Sequence, residues 1–179
     1  MSGKHDGPGD LPEGVTDTVH RIRTDPARLS KSWFDGVMAG ALDVARYVEL
    51  VSVTTLLTGL DSFTRALGVP RFPLPAALPG APSRHRPLAA KPGTAWVPMI
   101  DVADAAGLEA DIYGGGEFVP NIVRALSLVP DEVRALRSAT ESHYVPVAQI
   151  ADPSVRRALE RPQMELVAAR VSALNECFY

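Results

Sequence analysis

The stretch that most limits what this chain can become lies between Asp43 and Gly68. Val44, Tyr47, Val48, Leu50, Val51, Val53, Leu56, Leu57, Leu60, Phe63 and Leu67 make it apolar almost all round. Roughly 25 residues without a turn signal are far too long for a strand, even with β-branched residues at positions 51, 53, 54 and 55. The run therefore predicts one long buried helix, with Asp43 as its cap and Gly68 as its stop. A chain built round such a rod is expected to be all-α.

The flanking patterns agree with that class. Val15, Val19 and Ile22 sit at helical spacing between Pro12 and Arg23, which predicts a short amphipathic helix ending near Thr24. Asp25-Pro26 combines a capping carboxylate with a proline at the first helical position, and so predicts a helix carrying Leu29, Trp33, Phe34, Val37 and Met38. Gly36 and Gly40, each costing about 1 kcal/mol relative to alanine in a helix, should bend or end it. In the second half, short helices are expected around Val102 to Ala106, from Asn121 to Leu128, from Pro130 toward Tyr144, and from Asp152-Pro153 to Leu159. The last begins at Arg161-Pro162, and Met164, Val167, Ala168, Val171 and Leu174 make it a core-facing helix. His20 has no Cys, Asp or second His at i+3 or i+4 and is read as a surface or half-buried histidine; His143 follows a helical pattern that could point it toward the site, and is read as structural.

Residues 1–10 are polar and aperiodic and are expected to form a mobile tail. Eight of the 16 prolines fall between Pro70 and Pro98, a density that no helix or sheet ladder survives. That stretch reads as a linker, 70–98, between helical clusters at 11–69 and 99–179. Its basic triplet Arg84-His85-Arg86 has no helix N-terminus or glycine nest beside it and reads as solvated charge. Tyr113-Gly114-Gly115-Gly116 lacks the register and the Lys-Ser/Thr ending of a phosphate loop and reads as a flexible surface loop. A net charge of −3 with 22% charged residues argues against a nucleic-acid partner. No apolar run reaches the 18 or so residues of a membrane span, and the polar start has no signal-peptide core, so the expected location is cytoplasmic.

Cys177 is the single cysteine, so it forms no internal disulfide. A second helix capped by Asn175 would put Cys177 in its first turn, where the dipole and free amides favour a thiolate. Glu165 precedes it by 12 residues. On one straight helix that spacing means about 18 Å and roughly 120° of rotation, so the two can cooperate only if the backbone turns between them, and Asn175 is the expected turn.

Met164-Glu165-Leu166-Val167 through Val171-Ser172-Ala173-Leu174-Asn175-Glu176-Cys177-Phe178-Tyr179 resembles the catalytic segment of the alkylhydroperoxidase D-like, carboxymuconolactone decarboxylase superfamily. In its peroxidase branch a helical glutamate is followed 12 residues on by the first cysteine of a Cys-x-x-Cys pair and then by a histidine. Tyr47 to Pro70 is similar to the closing helix of one module of that superfamily, and Pro120 to Pro130 resembles the lead-in to its catalytic helices. The resemblance implies an all-α bundle of the alkylhydroperoxidase D-like type, in which the chain begins after one module's catalytic helix and ends inside the next module's motif. It makes Cys177 the resolving cysteine and Glu165 a proton-relay carboxylate with a raised pKa. It also implies a hydroperoxide substrate, an external dithiol reductant, no metal or other cofactor, and a homo-oligomer. The alternatives are a non-catalytic helical oligomerisation or binding module and a decarboxylase-like enzyme. A dithiol cycle needs two sulfurs. The chain is therefore expected to show at most one slow, stoichiometric reaction with a hydroperoxide, measured as thiol loss per peroxide consumed; sustained turnover with dihydrolipoamide would contradict this.

Overall fold

The Asp43 carboxylate accepts the amides of Ala45 at 3.0 Å and Arg46 at 2.9 Å, tying down two of the donors that a helix start leaves free. The helix it opens, α3, runs over Val44–Leu67 and stops at Gly68, whose φ of 67° suits a residue without a Cβ. A computed structural model describes residues 11–40, 42–74, 76 and 79–177 of the chain. The expected N-terminal tail, 1–10, lies outside them. Among the described residues the other α-helices are α1 (Glu13–Thr24), α2 (Lys31–Met38), α4 (Asn121–Arg124), α5 (Pro130–Glu141) and α6 (Arg161–Leu174). No strand occurs among the described residues; a lone antiparallel bridge joins Lys91 and Met99. The fold class is all-α, and among the described residues no helix is long and apolar enough to cross a membrane.

Several expected boundaries move, each for a local reason. Asp25-Pro26 opens only a 3-10 turn, Pro26–Arg28, because Asp25 makes no side-chain cap and Leu29 returns to extended backbone. Ser30 takes over as the cap of α2, its Oγ accepting the Trp33 amide at 3.2 Å. Asp152-Pro153 forms no helix: the Asp152 carboxylate accepts the Ser154 amide at 2.8 Å and its hydroxyl at 2.7 Å, a local turn that competes with helical pairing. The short helix expected near Val102 is a 3-10 turn, Val102–Asp104.

One buried cluster draws on both sides of the proline-rich stretch: Phe34, Tyr47 and Val48 pack with Val97, Ile100, Ile112, Val123 and Val133. The end of that stretch joins them, with Pro87 buried and Ala89 and Ala90 packed against the cluster. The basic triplet is held too. His85 Nε2 meets the Glu109 carboxylate, and Arg86 reaches Glu49 of α3 at 3.4 Å. The deepest residues, Ile100 and Ile112, are fully buried in irregular chain, so their backbone groups need partners other than a helix ladder. For Ile100 these are the Ser127 hydroxyl, which accepts its amide at 2.8 Å, and the Tyr113 hydroxyl, which donates to its carbonyl at 2.7 Å.

Two rows of apolar residues stay outside this core. Along the distal half of α3, Val53, Leu57, Leu60, Phe63 and Leu67 are 38 to 60% exposed while Thr54 and Thr64 are buried, so the helix expected to be buried throughout leaves its apolar side chains largely open beyond the first half. On α6 only Met164 is buried, whereas Val167, Val171 and Leu174 face solvent, which corrects the expected core-facing helix to a surface one.

The glycine run is an anchored loop and not a flexible one. Tyr113 and Gly116 are buried, and α5 clamps the segment before them. Arg134 donates to Asp111 Oδ1 at 2.6 Å and Oδ2 at 2.9 Å, holding that carboxyl below its usual range, and Arg137 donates to the carbonyls of Asp111 at 2.7 Å and Ile112 at 3.2 Å. Gly114 sits at φ 61°, and a Cβ there would lie 2.3 Å from Arg137 Nη2. Gly114→Ala should therefore lower the urea unfolding midpoint by the equivalent of about 1–3 kcal/mol, from left-handed strain and the displaced guanidinium; Gly115→Ala, which meets no neighbour, should show the strain component alone.

Candidate functional site

Helix α6 begins with a reciprocal cap, in which Gln163 Oε1 accepts the Glu160 amide at 2.9 Å and Glu160 accepts the Gln163 amide, with Pro162 in the first turn. One turn further on stands Glu165, whose carboxylate accepts from Arg161 Nε at 2.6 Å and from the Tyr144 hydroxyl. Arg161 is fixed from behind by donating to the Ile150 carbonyl at 2.9 Å, and its guanidinium lies 5.9 Å from the Tyr144 ring. The Glu165 side chain is 46% exposed. The Tyr144 hydrogen bond holds its carboxyl below the usual glutamate range, with a further lowering from Arg161 that outlasts the opposing effect of partial burial. The shift runs opposite to the raised pKa expected for a proton relay. Burial and the neighbouring carboxylate move the Tyr144 phenol upward in turn.

Cys177 is placed by the other end of the same helix. Asn175 does turn the chain, but as the C-cap of α6 and not as the start of another helix. Cys177 N–H donates back to the Ser172 carbonyl at 3.0 Å and Glu176 N–H to the Ala173 carbonyl at 3.3 Å, the paired closure of a Schellman stop. Glu176 sits at φ 53°, which no right-handed helix through it can accommodate. An Arg28–Glu176 ion pair at 3.1 Å holds that side chain to the turn after α1. Cys177 therefore lies at a helix carboxyl end, where the partial charge is negative and no free amides point at the sulfur. The dipole argument for a thiolate does not apply in this position. Phe178 and Tyr179, which complete the quoted resemblance, lie outside the described residues.

Glu165 and Cys177 are thus kept at opposite ends of α6, with about 14 Å of helix rise between Glu165 and Leu174 alone. The structure gathers different residues round each. Tyr144 and Arg161 surround Glu165; the Arg161 partner was visible in the i, i+4 spacing, but the tyrosine arrives from another element. The exposed Cys177 borders a cleft of about 610 Å³ between α1, α3 and the end of α6, whose walls include Arg23, Arg28, Tyr47, Val51 and Thr58. His143, as expected, has a structural setting: Nδ1 lies 2.7 Å from the Ala139 carbonyl and the ring packs edge-on to Phe63. Among the described residues no group of three or more His, Cys, Asp and Glu is arranged to hold a metal ion.

The sign of the Glu165 shift sets a pH dependence. Folding favours its ionised form, so the stability it contributes is complete above the ordinary glutamate value of about 4.3 and is lost as pH falls through the lower folded value. A carbon-detected NMR titration should find Glu165 below that ordinary value, and Tyr144→Phe should bring it upward; a titration above about 4.3 in the parent chain would restore the relay reading.

Comparison of the chain with protein-family models, with curated proteins and with solved structures finds no match.

Proposed function

We propose that this chain is a non-catalytic helical module that associates with a second copy of itself through the free face of α3. The observation that carries this reading is the exposed row Val53, Leu57, Leu60, Phe63 and Leu67. Their spacings of four, three, three and four residues place them on one side of a regular helix, a side on which Thr64 is buried. Contiguous apolar surface of this kind marks an interaction site, and two copies of one apolar helix face are self-complementary in a twofold pair. The exposed Val167, Val171 and Leu174 on α6 offer a second such surface. No chemistry is required of Glu165 in this reading, which agrees with its place in a surface hydrogen-bonded pair.

The thiol-peroxidase reading draws on a different observation, the exposed Cys177 at the edge of a cleft. In that chemistry a thiolate attacks a hydroperoxide oxygen, giving a sulfenic acid and an alcohol, and an external dithiol returns the sulfur to its reduced form with loss of water. The 179 residues hold no second cysteine, so the attacking sulfur would have to come from elsewhere.

Light scattering across a wide concentration range tests the first reading. The parent chain should shift from monomer to dimer, and Leu57→Glu with Leu60→Glu should weaken association more than about tenfold, since each removes a buried leucine from both sides of the pair. Both positions are exposed in the single chain, so its helical circular dichroism should not change. A parent chain that stays monomeric throughout would overturn the proposal.

A further inference from the structure

Tyr47 stands at a junction that the association reading does not use. It lines the 610 Å³ cleft beside Cys177 and also a second hollow of about 200 Å³, whose walls include Val48, Trp96, Val97, Ala125 and Leu126. Val51, one turn along α3, borders both hollows as well. The Tyr47 side chain is only 8% exposed, and its ring is fixed edge-on by Phe34 at 5.1 Å and Trp33 at 6.3 Å. No hydrogen bond ties its hydroxyl to the described residues, and it is not one of the sealed polar atoms there, so solvent or a molecule in the cleft can reach it. Burial also moves this phenol upward, so it is a neutral donor at ordinary pH.

We propose that the two hollows form one binding site for a small, uncharged, mainly apolar molecule carrying a single carbonyl acceptor, with the apolar body beside Trp96 and the carbonyl on the Tyr47 hydroxyl. Size supports this: about 200 Å³ lies below the usual range for drug-sized ligands and suits one ring or a short chain. The walls of that hollow are aliphatic and aromatic, which leaves Tyr47 as the polar group that sets orientation. The charge at the cleft mouth favours a neutral ligand over an acid. Arg28 is paired with Asp25 at 2.5 Å and Glu176 at 3.1 Å, and Arg23 with Asp61 at 3.2 Å, so both cations already have carboxylate partners.

Acetophenone and ethylbenzene, which share a ring and a two-carbon chain and differ in the carbonyl, form the test pair. In two-dimensional NMR titrations of the full chain, both should shift the Val51 and Trp96 resonances saturably, acetophenone at the lower concentration. Tyr47→Phe keeps the ring contacts and removes only the hydroxyl; it should weaken acetophenone about tenfold and leave ethylbenzene unchanged. Ala125→Phe, which fills the small hollow, should remove both. Linear, unsaturable shifts up to millimolar ligand, or equal acetophenone affinity in the parent and Tyr47→Phe, would overturn the proposal. Ethylbenzene binding that survives Ala125→Phe would overturn the placement of the apolar body.

Discussion

The interior depends on how one residue of irregular chain is satisfied. Ile100 is fully buried but belongs to no helix, so its amide and carbonyl have lost water without gaining a ladder. Ser127 and Tyr113 supply the missing partners, and the same Ser127 hydroxyl donates onward to the Arg124 carbonyl at 2.6 Å. Three separate segments are thereby tied at one point: the loop after the proline-rich stretch, the glycine-rich loop, and the chain leading into α5. A hydroxyl lost here would strand a buried backbone group, which generally costs more than the bond itself contributes. The well-packed apolar residues Ile112 and Val133 complete the interior, but they have no directional preference of their own.

Arginines on α5 perform a related service at the rim. Arg134 and Arg137 donate to carbonyls and to one carboxylate of the segment between Leu108 and Ile112, where the chain pairs with itself only through a 3-10 turn and single turn bonds. A guanidinium is suited to this because its donors form a rigid planar fork that reaches two acceptors at once. Asp111 accepts two bonds from Arg134 while its own carbonyl takes a third from Arg137. Exposed ion pairs within single helices, such as Arg21–Asp17 and Lys31–Asp35, contribute little individually.

What could be read from the sequence follows the range of the forces concerned. The long helix with both its caps was legible because Asp43, the apolar run and Gly68 act within a few residues of one another. Asp25-Pro26 and Asp152-Pro153 carried the same local signal and failed, since Ser30 and Ser154 offered competing hydrogen bonds and no apolar face followed closely enough to prefer the helix. Periodicity found α6 but not its exposure: a pattern states that a face is apolar, and only the packed chain states whether anything covers it. The surroundings of the two candidate residues were out of reach for a similar reason. Tyr144 comes from 21 residues before Glu165, and the turn that carries Cys177 is held through Arg28, 148 residues before Glu176. Spacing along one helix has no access to either partner.

The embedded and free halves of α3 follow different rules under sequence change. At Ala45, Tyr47 and Val48 the helix packs into the buried cluster, so substitutions there meet neighbouring side chains directly. Beyond Val53 the exposed positions ask only for the recurrence of apolar side chains, and many aliphatic combinations would serve equally there, whereas Thr54 and Thr64 remain buried. The two halves nonetheless share one continuous backbone, and each residue turns the helix by about 100°. A single insertion or deletion near Gly59 would leave the cluster round Tyr47 and Val48 in place while swinging Leu60, Phe63 and Leu67, and the buried Thr64 with them, more than a quarter turn round the axis. The direction in which this part of the molecule presents itself is thus encoded in a residue count, a property that point substitutions preserve and that a change in length abolishes.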